Sequence, residues 1–413
     1  MSRAGALAER NFRLLFTSTS ISALGDGVST IALAWAVLQI SGSPTSLGVV
    51  IAGRQVAEAA IAVAGGVWSD RLPRHLILIA AALVQGAAQA AGGILLLSGH
   101  ATVPLLVVLQ VAYGLAGGFV IPASQGLIPH TISTERLQQA NALLGLTRST
   151  VQVLGPALGG VLLVLGSPGA ALLVDAASFA VGALLLARLE LAPRADTIER
   201  QPFLTDLRGG WNEFRRQTWI WSTIVFFGIG NFAYMSYFVL GPVVAKRDLG
   251  GATAWATLLS AFGIGSVVGG LLALRIRPRR PLLASCLAAA PIVVPPVGVA
   301  LKLPVPVLAA ISVVAGVGLA LHIALWFTVF QQQVPEEARS RVSSYDALGS
   351  FVLMPLGSAI TGPVASVIGI SATLIAAAAV NVLCFVIVIA QPSVRAIRAP
   401  DFTSSTSLAA EPS

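Results

Sequence analysis

Six ionisable side chains, Asp26, Arg54, Glu58, Arg148, Asp175 and His322, stand inside long apolar stretches of the chain. A charge at the centre of a membrane-crossing helix costs about 2.5 to 3.5 kcal/mol on insertion scales, so each of these needs a reason for its place. With a rise of about 1.5 Å per residue, Asp26 lies roughly 18 Å into the first stretch and Arg54 roughly 12 Å into the second, counted from opposite ends. In a hydrocarbon layer about 30 Å thick those depths coincide. Asp26 and Arg54 are therefore expected to pair, and Glu58, one turn along on Arg54's face, is placed to exchange with Asp26 for the same cation. A carboxylate that alternates between a guanidinium and a water-filled space holds its proton differently in the two settings, which is the chemistry of proton coupling. Gly25 and Gly27 flank Asp26 and let the backbone loosen there. The competing reading is a static triad that fixes how the first two stretches meet. Arg148 is taken either as a partner for an acid of this set or as a contact for an anionic group. Asp175 reads as a structural cap and His322 as a core histidine.

The elements that must hold these groups follow from composition. Of 413 residues, 56% are hydrophobic and 10% are charged, against roughly 25% charged in soluble domains. Runs long enough to cross a bilayer, about 20 apolar residues, lie near 14–39, 45–68, 76–98, 103–122, 139–165, 169–188, 219–244, 253–274, 281–301, 305–328, 346–367 and 370–390. The expected fold is an all-α integral membrane protein of twelve transmembrane helices. Arginine falls in alternate connections: Arg3, Arg10 and Arg13, then Arg71 and Arg74, Arg136, the Arg188 to Arg216 group, Arg275 to Arg280, Arg339 and Arg341, and Arg395 and Arg398. The other connections offer Lys246, Arg247 and Lys302 alone. Cationic loops resist translocation, so both termini are expected in the cytoplasm of a cell whose plasma or inner membrane this chain spans. The net charge of +8 then reports topology and not nucleic-acid binding.

Residues 1–188 are expected to form one six-helix bundle and 219–390 a second. Between them, 189–218 reads as a cytoplasmic linker in which Phe203, Leu207, Trp211 and Phe214 recur at helical spacing beside Arg208, Arg215 and Arg216, a helix lying on anionic lipid head groups. Residues 391–413, rich in Ser, Pro and Ala, read as a disordered cytoplasmic tail. The N-terminal apolar run is too long for a secretory leader. Cys286 and Cys384 fall inside apolar runs, so neither a disulfide nor a metal site is expected, and no cofactor is implied.

A faint internal repeat supports the two-bundle division. The segment from Gly66 to His75 closes the second run, and Gly270 to Arg279 stands at the matching place in the second half, repeating a glycine and two basic positions without the acid. Parallel six-span halves related by an axis along the membrane normal are a transporter architecture with substrate held between them.

Gly66-Val67-Trp68-Ser69-Asp70-Arg71-Leu72-Pro73-Arg74-His75 resembles motif A of the major facilitator superfamily, with Pro73 in place of a common glycine. Gly155-Pro156-Ala157-Leu158-Gly159-Gly160 is similar to the core of motif C, typical of that superfamily's exporters, with Val151 where its first glycine is expected. Segments around Asp175, Asp206 and Val334 resemble the macrolide-efflux and enterobactin-exporter branch. At the position where motif B of many drug-proton antiporters carries arginine, this chain has Gln110. The resemblance covers about residues 10 to 390 and implies two pseudo-symmetric bundles. It also implies a gating latch built from Gly66, Asp70, Arg71 and Arg74, the alternative for that loop being a positively charged tight turn alone. In motif C, Gly155, Gly159 and Gly160 expose backbone for close helix approach while Pro156 bends the helix, with or without a part in gating.

Aromatic faces with scattered amides suit a large, partly apolar ligand. Gln110, Tyr113, Asn231, Phe232, Tyr234 and Trp326 are the candidates for the wall of such a cavity. The expected function is proton-coupled export of an amphipathic small molecule, such as an antibiotic or siderophore, by alternating access. A nutrient importer or uniporter on the same scaffold is the alternative, and a membrane enzyme or signalling protein the remote one, since no phosphate loop, metal pair or nucleophile elbow joins the runs. The partners are then the transported molecule, protons and lipids, and the chain is expected to act as a monomer.

Overall fold

The computed structural model describes residues 5–69, 73–191 and 216–398. Twelve long helical segments fill it: α1 (Arg10–Ile40), α2 (Pro44–Ser69), α3 (Arg74–Leu97), α4 (Val103–Gly117, resumed as Val120–Leu127), α5 (Leu137–Leu165), α6 (Pro168–Leu186), α7 (Thr218–Asp248), α8 (Ala252–Ala273), α9 (Pro281–Ala289, resumed as Val294–Ala300), α10 (Val305–Gln333), α11 (Glu336–Phe351, resumed as Met354–Ile368) and α12 (Ile370–Ala390). No strand occurs among the described residues. Eleven of the segments are long and apolar enough to cross a membrane by length and composition, and α2, with 26 residues, reaches about 39 Å at helical rise.

Turn chemistry sets the segment ends. Pro168 opens α6, where Ser167 accepts a hydrogen bond from the Ala170 N–H at 3.2 Å. Gly250 and Gly251, at φ of 94° and 98°, make the tight turn from α7 to α8 that a side chain would strain. Prolines 291, 295 and 296 cluster where α9 tightens into a 3₁₀ turn and resumes.

Two halves emerge from the way these helices meet. In the first, α1 lies against α5 and α6, α2 against α4, and α3 against α4 and α6. The second repeats the scheme: α7 against α11 and α12, α8 against α10, and α9 against α10 and α12. The halves join through α5 with α8 and α2 with α11, two seams that exchange under the same pseudo-two-fold relation.

The apolar clusters show how deep this joint runs. On the face remote from the chain ends, Leu33, Val37, Leu38, Leu47 and Val50 of the first half enclose Val243 of α7. Ile31 is likewise buried among Tyr237, Leu240 and Trp255. On the face carrying the ends, one cluster (Phe12, Leu15, Leu127, Leu144) belongs wholly to the first half. Another (Ile220, Leu282, Trp326, Phe330) belongs wholly to the second. Polar contacts agree: Lys246 Nζ donates to the Leu38 carbonyl at 2.7 Å, Ser260 to the Val153 carbonyl at 2.9 Å, and Ser358 to Gln55 Oε1 at 2.9 Å. Among the described residues, the halves are therefore joined from the remote face to mid-depth.

Past α12, where the sequence suggests an unstructured tail, a short helix, Pro392–Ala396, buries Val394 completely. Its apolar side chain joins the second-half cluster near the chain ends, which hydropathy over so short a stretch does not reveal. The expected linker helix around Phe203 to Phe214 lies outside the described residues.

Candidate functional site

The first half brings Asp26, Arg54 and Tyr113 together. The Asp26 carboxylate faces an Arg54 nitrogen at 3.7 Å and accepts a hydrogen bond from the Tyr113 hydroxyl. The guanidinium carbon of Arg54 stands 4.2 Å from the Tyr113 ring centroid, a cation-π geometry. Close approach of α2 and α4 makes this possible, because a side chain at Gly114 would collide with the Arg54 carbonyl. Glu58 follows one turn along α2, its carboxyl carbon 3.9 Å from where a Cβ on Gly117 would stand. Asp26 keeps 37% of its side-chain surface exposed, so water can reach it while Arg54 holds it.

Asp175 sits beside this group with no exposed surface. A side chain at Gly25 would overlap Asp175 Oδ1, which places the two acids on touching faces of α1 and α6. Its partners are neutral: Gln89 donates to Oδ2 at 2.6 Å, and Ser178 to Oδ1 at 3.3 Å. Gln110 extends the chain by donating to Gln89 Oε1 at 3.4 Å, and its own Oε1 is buried without a partner. Gln110 and Tyr113, proposed from sequence as cavity walls, thus stand in the carboxylate network. Arg148 is exposed on α5, apart from the Asp26 contacts described.

The motif C glycines work where helices touch. A Cβ on Gly27 would stand 2.7 Å from the Gly155 Cα, and one on Gly155 the same distance from the Gly27 Cα. A Cβ on Gly159 would stand 3.0 Å from the Val28 carbonyl oxygen, and one on Gly160 would stand 2.6 Å from the Ala256 methyl across the seam between halves. One helix, α5, therefore contacts the turn after Asp26 and also α8 of the other half. Of the motif A residues, Arg74 donates to the Gly126 carbonyl at 2.5 Å, tying α3 to α4. Gly66 lies in α2, and Asp70 and Arg71 lie outside the described residues.

The second half holds a cavity of about 310 Å³ near the face of the chain ends. Asn231, Tyr234 and Trp326 line it, as sequence suggests; Phe232 is not on its wall. Phe226, Phe227, Phe327, Phe351 and Phe385 supply the rest of an aromatic lining. His322 hydrogen-bonds Ser285 at 2.8 Å and stacks on Phe227 with centroids 4.5 Å apart. Asp346, which the sequence reading passed over, also faces the cavity. Its Oδ2 accepts from the Trp326 indole N–H at 3.1 Å and its Oδ1 from Ser350 at 3.3 Å. The signal was present: Asp346 stands four residues before Ser350 on one helical face, at the start of an apolar run.

Twelve helices in paired bundles, with polar groups sequestered at mid-depth and a lined cavity, define a membrane transport protein. The chain belongs to the Major Facilitator Superfamily, whose model matches residues 15–345. It is 25% identical over 408 residues to the multidrug efflux pump Tap of Mycobacterium tuberculosis, covering 93% of this chain and 94% of that one. The Tap pump of Mycolicibacterium fortuitum is 24% identical over 400 residues, covering 92% and 95%. Among solved structures, a bacterial homolog of the human lysosomal transporter Spinster, inward-facing and unoccupied, superposes with a TM-score of 0.72 at 14% identity, covering 93% of this chain and 97% of that one. The nucleoside transporter NupG gives 0.72 at 14%, covering 92% and 98%. These structural likenesses concern the fold.

Proposed function

We propose that the protein is a proton-coupled exporter of amphipathic small molecules that works by alternating access. The observation that carries this reading is Asp26, a half-exposed carboxylate at mid-depth shared between Arg54 and the Tyr113 hydroxyl. A carboxylate beside a guanidinium favours its charged form, and one parted from it in a poorly hydrated space favours the proton. Because α5 touches both the α1 segment at Asp26 and α8, a rocking of the halves changes the packing around Asp26. Glu58 and Arg148 complete the proposed coupling set, with Glu58 as the competing acid. Gly66, Asp70, Arg71 and Arg74 form the proposed latch, and Gly155, Pro156, Gly159 and Gly160 the proposed pivot. The export direction is supported by the resemblance to the Tap pumps, named for multidrug efflux.

In this reading the arginine-rich face is cytoplasmic, both termini lie inside, and the joined remote face closes the outer side. Residues 1–188 and 219–390 are the moving bundles, 189–218 links them on the inner leaflet, and the protein acts as a monomer in the cell membrane. Siderophores and antibiotics are the substrate classes to try first.

Proteoliposomes with an internal pH dye test the coupling. Addition of a transported compound is expected to release protons through the wild type, and Asp26→Asn is expected to abolish that release and uphill transport while keeping substrate exchange down a gradient. Uphill transport at the wild-type rate by Asp26→Asn would remove Asp26 as the carrier, and substrate moving with the protons and not against them would make the protein an importer.

A further inference from the structure

We infer that the cavity of the second half is a binding site for organic cations, with Asp346 as the counter-charge and Trp326 as the residue that aims it. The inference rests on the transporter reading above and narrows its substrate to amphipathic molecules carrying a positive charge.

Asp346 is the only carboxylate on the cavity wall among the described residues. A carboxylate turned into an apolar cavity needs a partner of opposite sign or a function that repays its desolvation. The two groups bonded to it, the Trp326 indole and the Ser350 hydroxyl, are neutral donors that orient the carboxylate without cancelling its charge. The walls from α7, α9 and α12 bring no arginine or lysine. On α10, one turn before Trp326, His322 is the remaining basic wall residue, and its ring is engaged by Ser285 and stacked on Phe227. On α11 itself, Arg339 turns away, its Nε donating to the Val334 carbonyl at 3.0 Å.

Around Asp346 stand Phe226, Phe227, Phe327, Phe351 and Phe385. Ring faces attract a desolvated cation by roughly 2 kcal/mol or more where water is excluded. Carboxylate and rings together favour a charged amine or onium group over an uncharged molecule of equal shape. The volume of about 310 Å³ lies within the usual range of small-molecule sites, about 300 to 1,000 Å³. Position also fits: Trp326 stands about 10 Å from the end of α10, on the side of the chain ends.

Two probes decide the matter on full-length purified protein in detergent, by isothermal titration calorimetry with no pH gradient. Tetraphenylphosphonium is a permanent cation, and triphenylphosphine oxide is an uncharged aromatic relative. The wild type is expected to bind the cation at least about ten-fold more tightly than the neutral compound. Asp346→Asn is expected to lose that preference while binding the neutral compound as before, and Asp346→Glu, which keeps the charge, to retain it. Equal affinity of the wild type for both probes, or an undiminished cation preference in Asp346→Asn, overturns the inference. So does Asp346→Glu losing the preference along with Asp346→Asn. A protein that prefers the cation but releases no protons in liposomes fails the coupling reading alone; one that couples protons without the preference fails this one alone.

Discussion

At the residue scale, the chemistry of this chain depends on which carboxylates have a cation and which do not. Asp26 shares Arg54; Asp175 and Asp346 are held by amide, hydroxyl and indole donors. Glu9 is a fourth case, outside the membrane at the start of α1. It accepts from the Ser133 N–H at 2.9 Å, the Ser133 hydroxyl at 2.7 Å and Arg136 at 3.2 Å. The Ser133 hydrogen bond, more than the nearby Arg136 charge, holds its carboxyl below the usual glutamate value, with partial desolvation opposing. A depressed folded-state value means that Glu9 contributes stability above the unfolded-state value, lost as pH falls through the folded one. Wild type is therefore expected to unfold at a higher temperature than Glu9→Gln at neutral pH, with the gap closing as pH drops below the normal glutamate range. A gap that is constant from pH 7 to pH 3 in thermal unfolding would show that the Glu9 charge is not the source.

At the scale of elements, glycine contacts and helix ends matter more than hydropathy. Gly155 meets Gly27 backbone to backbone, whereas Gly145, ten residues earlier on α5, has open space where a Cβ would go. Gly155→Ala is expected to force α1 and α5 apart and cost about 1–3 kcal/mol. Gly145→Ala is expected to be neutral or to stabilise by up to about 1 kcal/mol through helix propensity. Thermal unfolding of both variants in one detergent checks the contrast, and equal shifts would refute the assigned contact.

The apolar runs were legible because lipid demands them, and the Asp26–Arg54 pair was legible because depth can be counted along two consecutive helices. What escaped the reading is instructive. Helix α7 continues through Lys246, Arg247 and Asp248, where long charged side chains reach past an apolar boundary. Helix α11 starts at Glu336, ten residues before the apolar run that opens on Asp346, and Asp346 at that border is not among the ionisable groups counted inside the runs. Asp175 against Gly25 joins α1 to α6, a neighbourhood set by topology that no local periodicity contains.

For the whole molecule, the fused remote face makes a mechanical prediction. Gly160 and Ala256 face each other across the α5 and α8 seam. A cysteine pair at these two positions, in a background lacking Cys286 and Cys384, is expected to cross-link under oxidation and to stop transport reversibly. Ala256→Cys alone is expected to leave transport intact under the same treatment, and reduction of the pair to restore transport to the level of Gly160→Cys alone. Full transport by the oxidised pair, with the cross-link verified on a gel, would mean that the seam does not open during turnover.

The cavity takes every wall from the later half of the chain, and the Asp26 network takes every member from the earlier half. Selection acting on one can then proceed with little penalty in the other: bulk can be traded at Phe227, Phe327 or Phe385 generation after generation while the acids near Arg54 stay as they are. Lineages descended from such a chain should diverge in taste sooner than in engine.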